Sequence, residues 1–447
     1  MSNTVLILVA LAGIFGLLYL VIRAKLHAFV TILLISLLVG IGTGMPLENV
    51  LESIQRGMGG TLGFVAIVVG LGAMFGKMLE ISGGVERLAS TLLDKFGEDK
   101  AQWAFGIAGF LVAIPVFFDV GFIILVPIVY GLQKKTGRSL LYYGIPLLAG
   151  LAVTHAFIPP TPGPIAVADL VGADLGWVIL FGVIAGIPSM IAAGPLFGKF
   201  IAGKIDVGIP EYMNFDDKEW DKELPSFGLI ASIILIPLAL ILTNTLSTVL
   251  FAEGSTIRNI TTFIGNPIVA LIFATLITFR VLGTKRGYSR KEVQDIATKA
   301  LEPVGIIILV TGAGGVFKEI LIDSGVADIL GEQMAASPLP PILLAFLIAA
   351  VVRIAQGSAT VSMVTAAGLM SPILPVMGIE GPGLALIVIA IAGGATAFSH
   401  VNDSGFWLVS RYFGLDEKDT LKTWTVMETI IGLVGLGMAM LIGLFII

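Results

Sequence analysis

The chain has 447 residues, 56% of them hydrophobic and 13% charged, with a net charge of −5. A soluble domain usually carries about 25% charged residues, so lipid rather than water is the expected solvent, and with no basic tract longer than a few residues a nucleic-acid partner is excluded. The lack of cysteine removes disulfides, thiolate metal sites and thiol nucleophiles, and the three histidines, His27, His155 and His400, make no zinc motif, so no metal is expected.

A helical crossing of a bilayer needs about 20 apolar residues, and such runs recur from end to end. The first follows Met1-Ser2-Asn3-Thr4 without the positive region of a cleaved leader and is expected to stay as a span. Full spans are expected at 3–22, 26–44, 60–81, 140–160, 176–201, 226–249, 263–282, 303–322, 383–411 and 424–447. Two further stretches, 101–132 and 339–371, are interrupted by Pro115-Val116-Phe117-Phe118-Asp119 and by Arg353-Ile354-Ala355-Gln356-Gly357-Ser358. Each is a re-entrant hairpin or a pair of spans. The fold class is an all-α polytopic membrane protein with about ten full spans plus two re-entrant hairpins.

Lysine and arginine choose the side of each loop. With both termini outside, most of the 26 basic residues fall in inside loops. Arg56 and Arg258 fall outside, Lys318 and Arg353 fall within membrane segments, and Asp323, Asp328 and Glu332 make an acidic outer loop. Lys318 reads as snorkelling at an interface beside Glu319. The charged stretch 206–225 reads as a cytoplasmic linker dividing a first half, 1–205, from a second half, 226–447.

The halves resemble each other. Gly63–Phe75 lies over Gly305–Phe317, Thr154-His155 over Ser399-His400, and Trp177 over Trp424, giving repeat cores at about 60–201 and 303–447. Sidedness makes the copies inverted, the construction of secondary transporters that exchange access around one central site. Gly59, Gly60, Gly63, Gly70, Gly72 and Gly76 read as small-residue faces for helix approach.

Four polar breaks fall at matching places, at Pro115–Gly121, Thr154–Pro164, Arg353–Thr360 and Ser399–Gly405. Irregular backbone at membrane depth must be buried in protein or line a watery cavity. The run Pro159-Pro160-Thr161-Pro162-Gly163-Pro164 cannot be regular helix. Free carbonyls, hydroxyls and helix N-termini at such breaks suit a polyhydroxy carboxylate. The candidate substrate-binding residues are therefore Asp119, Gly121, Thr154, His155 and Thr161 in the first half. In the second they are Arg353, Gln356, Ser358, Thr360, Ser399, His400, Asn402 and Ser404. Asp119, an acid in an apolar run, is a functional position by default. Arg353 is a carboxylate clamp or an ion-pair partner of Asp119 or Asp403. The candidate proton carriers are Asp119, His155, His400 and Asp403, histidine titrating near ordinary pH.

The chain resembles the gluconate permease (GntP) family over essentially its whole length. The resemblance rests on Gly44-Met45-Pro46-Leu47, Gly59-Gly60-Thr61-Leu62-Gly63, Gly76-Lys77-Met78-Leu79, Phe118-Asp119-Val120-Gly121-Phe122 and Thr154-His155 with the proline run. In the second half it rests on Arg353–Thr360 and on Phe398-Ser399-His400-Val401-Asn402-Asp403-Ser404-Gly405-Phe406-Trp407. It implies a proton symporter for gluconate or a related sugar acid in the bacterial inner membrane, with no cofactor beyond the proton gradient. Some relatives carry D-serine or other small hydroxy acids. It further implies a place in the wider ion-transporter superfamily, with two hairpins and two broken helices, often as a homodimer in lipid. The competing readings are a membrane enzyme using Asp119 and Asp403 as an acid pair, and a passive channel.

Overall fold

The computed structural model describes residues 2–210, 224–329 and 339–446. Residues 211–223 of the expected linker, and Glu332 of the expected acidic loop, lie outside the described residues. Every described regular element is a helix. Seven helical stretches are long and apolar enough to cross a membrane, so the protein is an integral membrane protein of the polytopic all-α class.

In the first half, α1 (Asn3–Ile22) and α2 (Ala28–Gly42) precede the long α3 (Leu47–Ile81) and the amphipathic α4 (Gly84–Phe96). α5 (Ala101–Val112) and α6 (Phe118–Thr136) are joined by a bend. α7 (Leu140–Phe157) and α8 (Pro162–Val171) are the two parts of a broken helix. α9 (Leu175–Ile191) runs on through a wide turn at Ala192–Leu196 into α10 (Phe197–Ala202). The second half begins with α11 (Phe227–Leu250), α12 (Thr256–Ile264), α13 (Pro267–Thr278) and α14 (Arg290–Lys299). Then come α15 (Gly305–Asp323), the bent pair α16 (Pro341–Gln356) and α17 (Ala359–Met370), and the broken pair α18 (Pro382–Thr396) and α19 (Ser404–Phe413). The chain ends with the short α20 (Glu417–Thr420) and α21 (Val426–Ile446).

Each break has a local cause. Pro159 and Pro160 lack the N–H groups that would continue α7, and Pro162 sits at the first position of α8, where a missing N–H costs nothing. Gly357 ends α16 at φ +86°, with its N–H on Arg353 O. Beyond α18, Ala397 is extended and Phe398 is left-handed at φ +60°, a conformation that a bulky residue holds only where its surroundings impose it. The stretch 383–411, expected as a span with a polar break at Ser399–Gly405, is two helices separated by Ala397–Asp403, so the break opens two residues earlier. The span expected at 60–81 begins earlier, at Leu47, and its helix has 35 residues.

Helix α3 crosses α15 at glycine. A Cβ on Gly57 would stand 2.6 Å from Gly315 O, and a Cβ on Gly315 would fall on the Thr61 hydroxyl. Gly76 of α3 is likewise closed off by Pro115 O, so the bend between α5 and α6 rests on that helix. Gly59, Gly60 and Gly63, expected to pack helices, have nothing within 4 Å of their Cβ positions. The glycines that matter for approach are Gly57 and Gly76, one helical face away. Gly315→Ala is expected to lower the unfolding temperature of the purified protein through overpacking of about 1–3 kcal/mol, while Gly59→Ala leaves it unchanged. Equal melting of the two variants would contradict this crossing.

At the end of α15, Arg56 of α3 pairs with Glu319 at 2.6 Å and with Asp323. Lys318 does not pair with its neighbour. Its ammonium is partly buried and donates to Leu170 O of α8 at 2.7 Å.

Candidate functional site

The four breaks meet. Around a central cavity of about 520 Å³ lie the first residues of four helices, at Phe118 and Asp119, at Pro162 and Gly163, at Ala359 and Thr360, and at Ser404 and Gly405. That volume falls in the usual range for small-molecule sites, about 300–1,000 Å³. Each of these ends carries the positive end of a helix dipole and first-turn N–H groups without intrahelical partners, although α8, opening Pro162-Gly163-Pro164, offers only that of Gly163. Ser358 caps α17 by accepting from Val361 N, and Asp403 caps α19 by accepting from Gly405 N at 3.1 Å. Asp119 lies in the first turn of α6, where a negative charge is favoured, and faces the cavity exposed.

One cation stands on this cavity. Arg353, 2% exposed, donates from Nη2 to Asp403 Oδ2 at 2.5 Å and from Nη1 to Gly357 O. Of the two carboxylates open to it from sequence, the partner is Asp403 and not Asp119. Asp403 Oδ2 also accepts from the Ser399 hydroxyl at 2.5 Å, and that hydroxyl accepts from Trp424 Nε1 at 2.7 Å. This chain of donors ties the break after α18 to the beginning of the last span. Gln356 donates to Ser358 O and Ser362 Oγ, both at 3.1 Å, and Asn402 donates to Ile354 O at 2.9 Å. The hairpin tip is thus fastened to the second broken helix.

Of the residues singled out from sequence, Asp119, His155, Arg353, Gln356 and Ser358 line the cavity, as do Thr360, Asn402, Asp403 and Ser404. Gly121, Thr154, Thr161, Ser399 and His400 do not. Gly121 faces Leu151, where a Cβ would stand 2.9 Å from Cδ2, so it serves the packing of α6 on α7. Thr154 is fully buried in α7, and Thr161 spends its hydroxyl on Ile158 O at 2.8 Å. Ser399 lies one layer behind Asp403. His400 turns Nδ1 to Phe398 O at 3.0 Å. The two histidines that match in sequence therefore differ in place. His155 lines the cavity, edge-on to Phe117, with Nδ1 buried and without a hydrogen-bond partner among the described residues.

Trp424 and Glu428 of the last span, Phe117, Gly357 and Met363 are all on the cavity wall without having been site candidates from sequence, although Phe117 and Gly357 lay in its polar breaks. For Glu428 the signal was available. It is a lone acid in an apolar run, the feature that drew attention to Asp119.

The sequence profile of the GntP family permeases matches residues 4–445. The chain is 43% identical over 435 residues to the low-affinity gluconate transporter of Escherichia coli K12, covering 97% of each. It is 42% identical over 443 residues to the gluconate permease of Pseudomonas aeruginosa, covering 98% of each. Among solved structures, that of Neisseria gonorrhoeae MtrF, described as illuminating a class of antimetabolite efflux pumps, superimposes with a TM-score of 0.68 over 94% of this chain and 96% of that one. At 14% identity this likeness concerns the fold alone.

Proposed function

Because this chain belongs to the GntP family of permeases, we propose that its cavity carries gluconate or a closely related sugar acid into a bacterial cell across the inner membrane, together with protons. A permease moves its solute unchanged, so Asp119 and Asp403 have no enzymatic role here. The observation that carries the reading is the convergence of four helix N-termini and one arginine on a single cavity at the breaks. N–H groups and Arg353 suit a carboxylate, while Gln356, Ser358, Thr360, Asn402 and Ser404 suit hydroxyls. In this reading Gly121, Thr154, Thr161, Ser399 and His400 act by shaping the segments that carry those groups. Asp119, His155, His400 and Asp403 are the acids and bases considered for the proton.

The proposal extends to the architecture. We read two inverted halves, 1–205 and 226–447, with about ten spans and two hairpins. The recurrence of a bent pair followed by a broken helix, at α5–α8 and again at α16–α19, supports it. The meeting of Arg56, placed outside by charge, with Glu319 and Asp323 at the end of α15 supports the periplasmic placing of both termini. A homodimer in lipid is part of the same reading, and the mass of the detergent-solubilised protein tests it.

Uptake of labelled gluconate by energised vesicles is expected to exceed the external concentration and to collapse when a protonophore is added. Equilibration without accumulation would make the protein a channel. Competition by unlabelled D-serine stronger than by unlabelled gluconate would move the substrate to the amino-acid branch.

A further inference from the structure

Glu428 lies in the first turn of α21 and is 4% exposed, yet it reaches the wall of the central cavity. Its Oε1 is buried with no hydrogen-bond partner, and it makes no ion pair among the described residues. Arg353 Nε is buried and unpartnered on the same cavity. The elements packed around Glu428 bring few other charges. α16 brings Arg353, the segment before α19 brings Asp403, α7 brings His155, and α6 brings Asp119 across the cavity. α9 and α18 carry no charged side chain.

These acids stand in different surroundings. Asp403 already accepts from Arg353, Ser399 and Gly405, so both of its oxygens are occupied. Asp119 is exposed on the cavity and lies in the first turn of α6, where the helix dipole favours its charge. Glu428 Oε1 is buried with no donor on it among the described residues. A carboxylate buried in that way is costly while charged, and one bound proton removes the charge and turns one oxygen into a donor. The incoming substrate sharpens the imbalance. Arg353 is already matched by Asp403, so a sugar-acid carboxylate adds a negative charge beside Glu428 that no free cation answers.

We propose that Glu428 is the residue that carries the co-transported proton, and that its protonation is the condition for an anionic substrate to sit beside Arg353. The inference rests on the symport reading above. The proton adds to a carboxylate oxygen from water on the side where the cavity is open and leaves the same oxygen to water on the other side, so no bond other than O–H forms or breaks. Because each ligand favours the other by the same factor, proton binding and anion binding are coupled at one place. The matching position in the first half, four residues beyond Trp177, is Phe181, so this function belongs to one half only.

The test uses purified wild type and Glu428→Gln in proteoliposomes under an imposed pH gradient, acid outside, with labelled gluconate. One unit of pH sustains up to about tenfold accumulation for one proton per anion, and Glu428→Gln is expected to reach a ratio of only about 1. Calorimetry on the purified variant should show gluconate binding whose affinity no longer changes with pH, in contrast to wild type. Accumulation by Glu428→Gln equal to wild type overturns the assignment and leaves symport standing. A wild type that fails to accumulate overturns both. Should Glu428→Gln not fold, Glu428→Asp keeps the acid but moves it by one methylene. A displaced pH dependence of its uptake is expected, and an unchanged one overturns the proposal.

Discussion

Arg353→Ala is expected to cost about 3 kcal/mol of stability, because it leaves Asp403, only 12% exposed, without its cation. Uptake of gluconate should fall by at least about thirtyfold, the lower range for truncating one member of a buried charge pair at a binding site. The two effects separate in a second variant. Arg353→Ala combined with Asp403→Ala removes both charges, so the unfolding temperature should recover toward wild type. Uptake should not recover, since the cavity then has no cation. Thermal unfolding in detergent and uptake in vesicles read the two quantities. A double variant that transports normally would reduce the pair to packing and remove Arg353 from the site.

Gly357→Ala is expected to abolish most of the uptake, because one methyl group there meets both a strained backbone and a neighbouring segment. At φ +86° an alanine costs about 1–2 kcal/mol in backbone strain alone. Its Cβ would also fall on Asn402 O, with Asn402 C at 2.7 Å, so the tip of the second bent pair must lift away from the second broken helix. Asn402 and Ser358 would then leave their places on the cavity, and a loss of about 1.4 kcal/mol in substrate affinity is already tenfold in the dissociation constant. Gly137→Ala is the control. Gly137 is also left-handed, at φ +69°, but nothing stands within 4 Å of its Cβ. Gly137→Ala should lose only the same backbone strain and keep uptake, whereas Gly357→Ala should lose most of its uptake. Equal uptake by both would mean that the tip is free to move, and that the Gly357–Asn402 approach has no part in binding.

These two variants also mark how far sequence reading reached. Gly357 and Asn402 were both recognisable as parts of polar breaks in apolar stretches, since a proline, a glycine or an acid at membrane depth is a local fact that needs no neighbour. That they touch each other is a fact about two segments far apart in the chain. Arg353 was legible as a buried cation, and its choice of Asp403 over Asp119 was not, because two carboxylates of like chemistry differ only in where the backbone delivers them. His155 and His400 matched by position. The left-handed turn at Phe398 sends one of them to a carbonyl, while α7 carries the other to the cavity. The break in the span expected at 383–411 was legible at Ser399–Gly405 but not its start, because Ala397 and Phe398 are ordinary residues in an apolar run. Their extended and left-handed conformations come from the packing of Asp403, Ser399 and Trp424 around the break.

Composition and apolar periodicity determined that the chain lives in lipid, that it is helical throughout, and that its chemistry sits at four interruptions, because an unpaired peptide group in hydrocarbon has to be explained wherever it occurs. Only the tertiary structure decided which polar groups face one another. Charge pairing and burial depend on side-chain direction over a few ångströms, and that direction is set by helix crossings such as the one at Gly57 and Gly315 rather than by any local pattern. Glu428 is the clearest instance, being an acid in an apolar helix by sequence and a member of the cavity wall by fold.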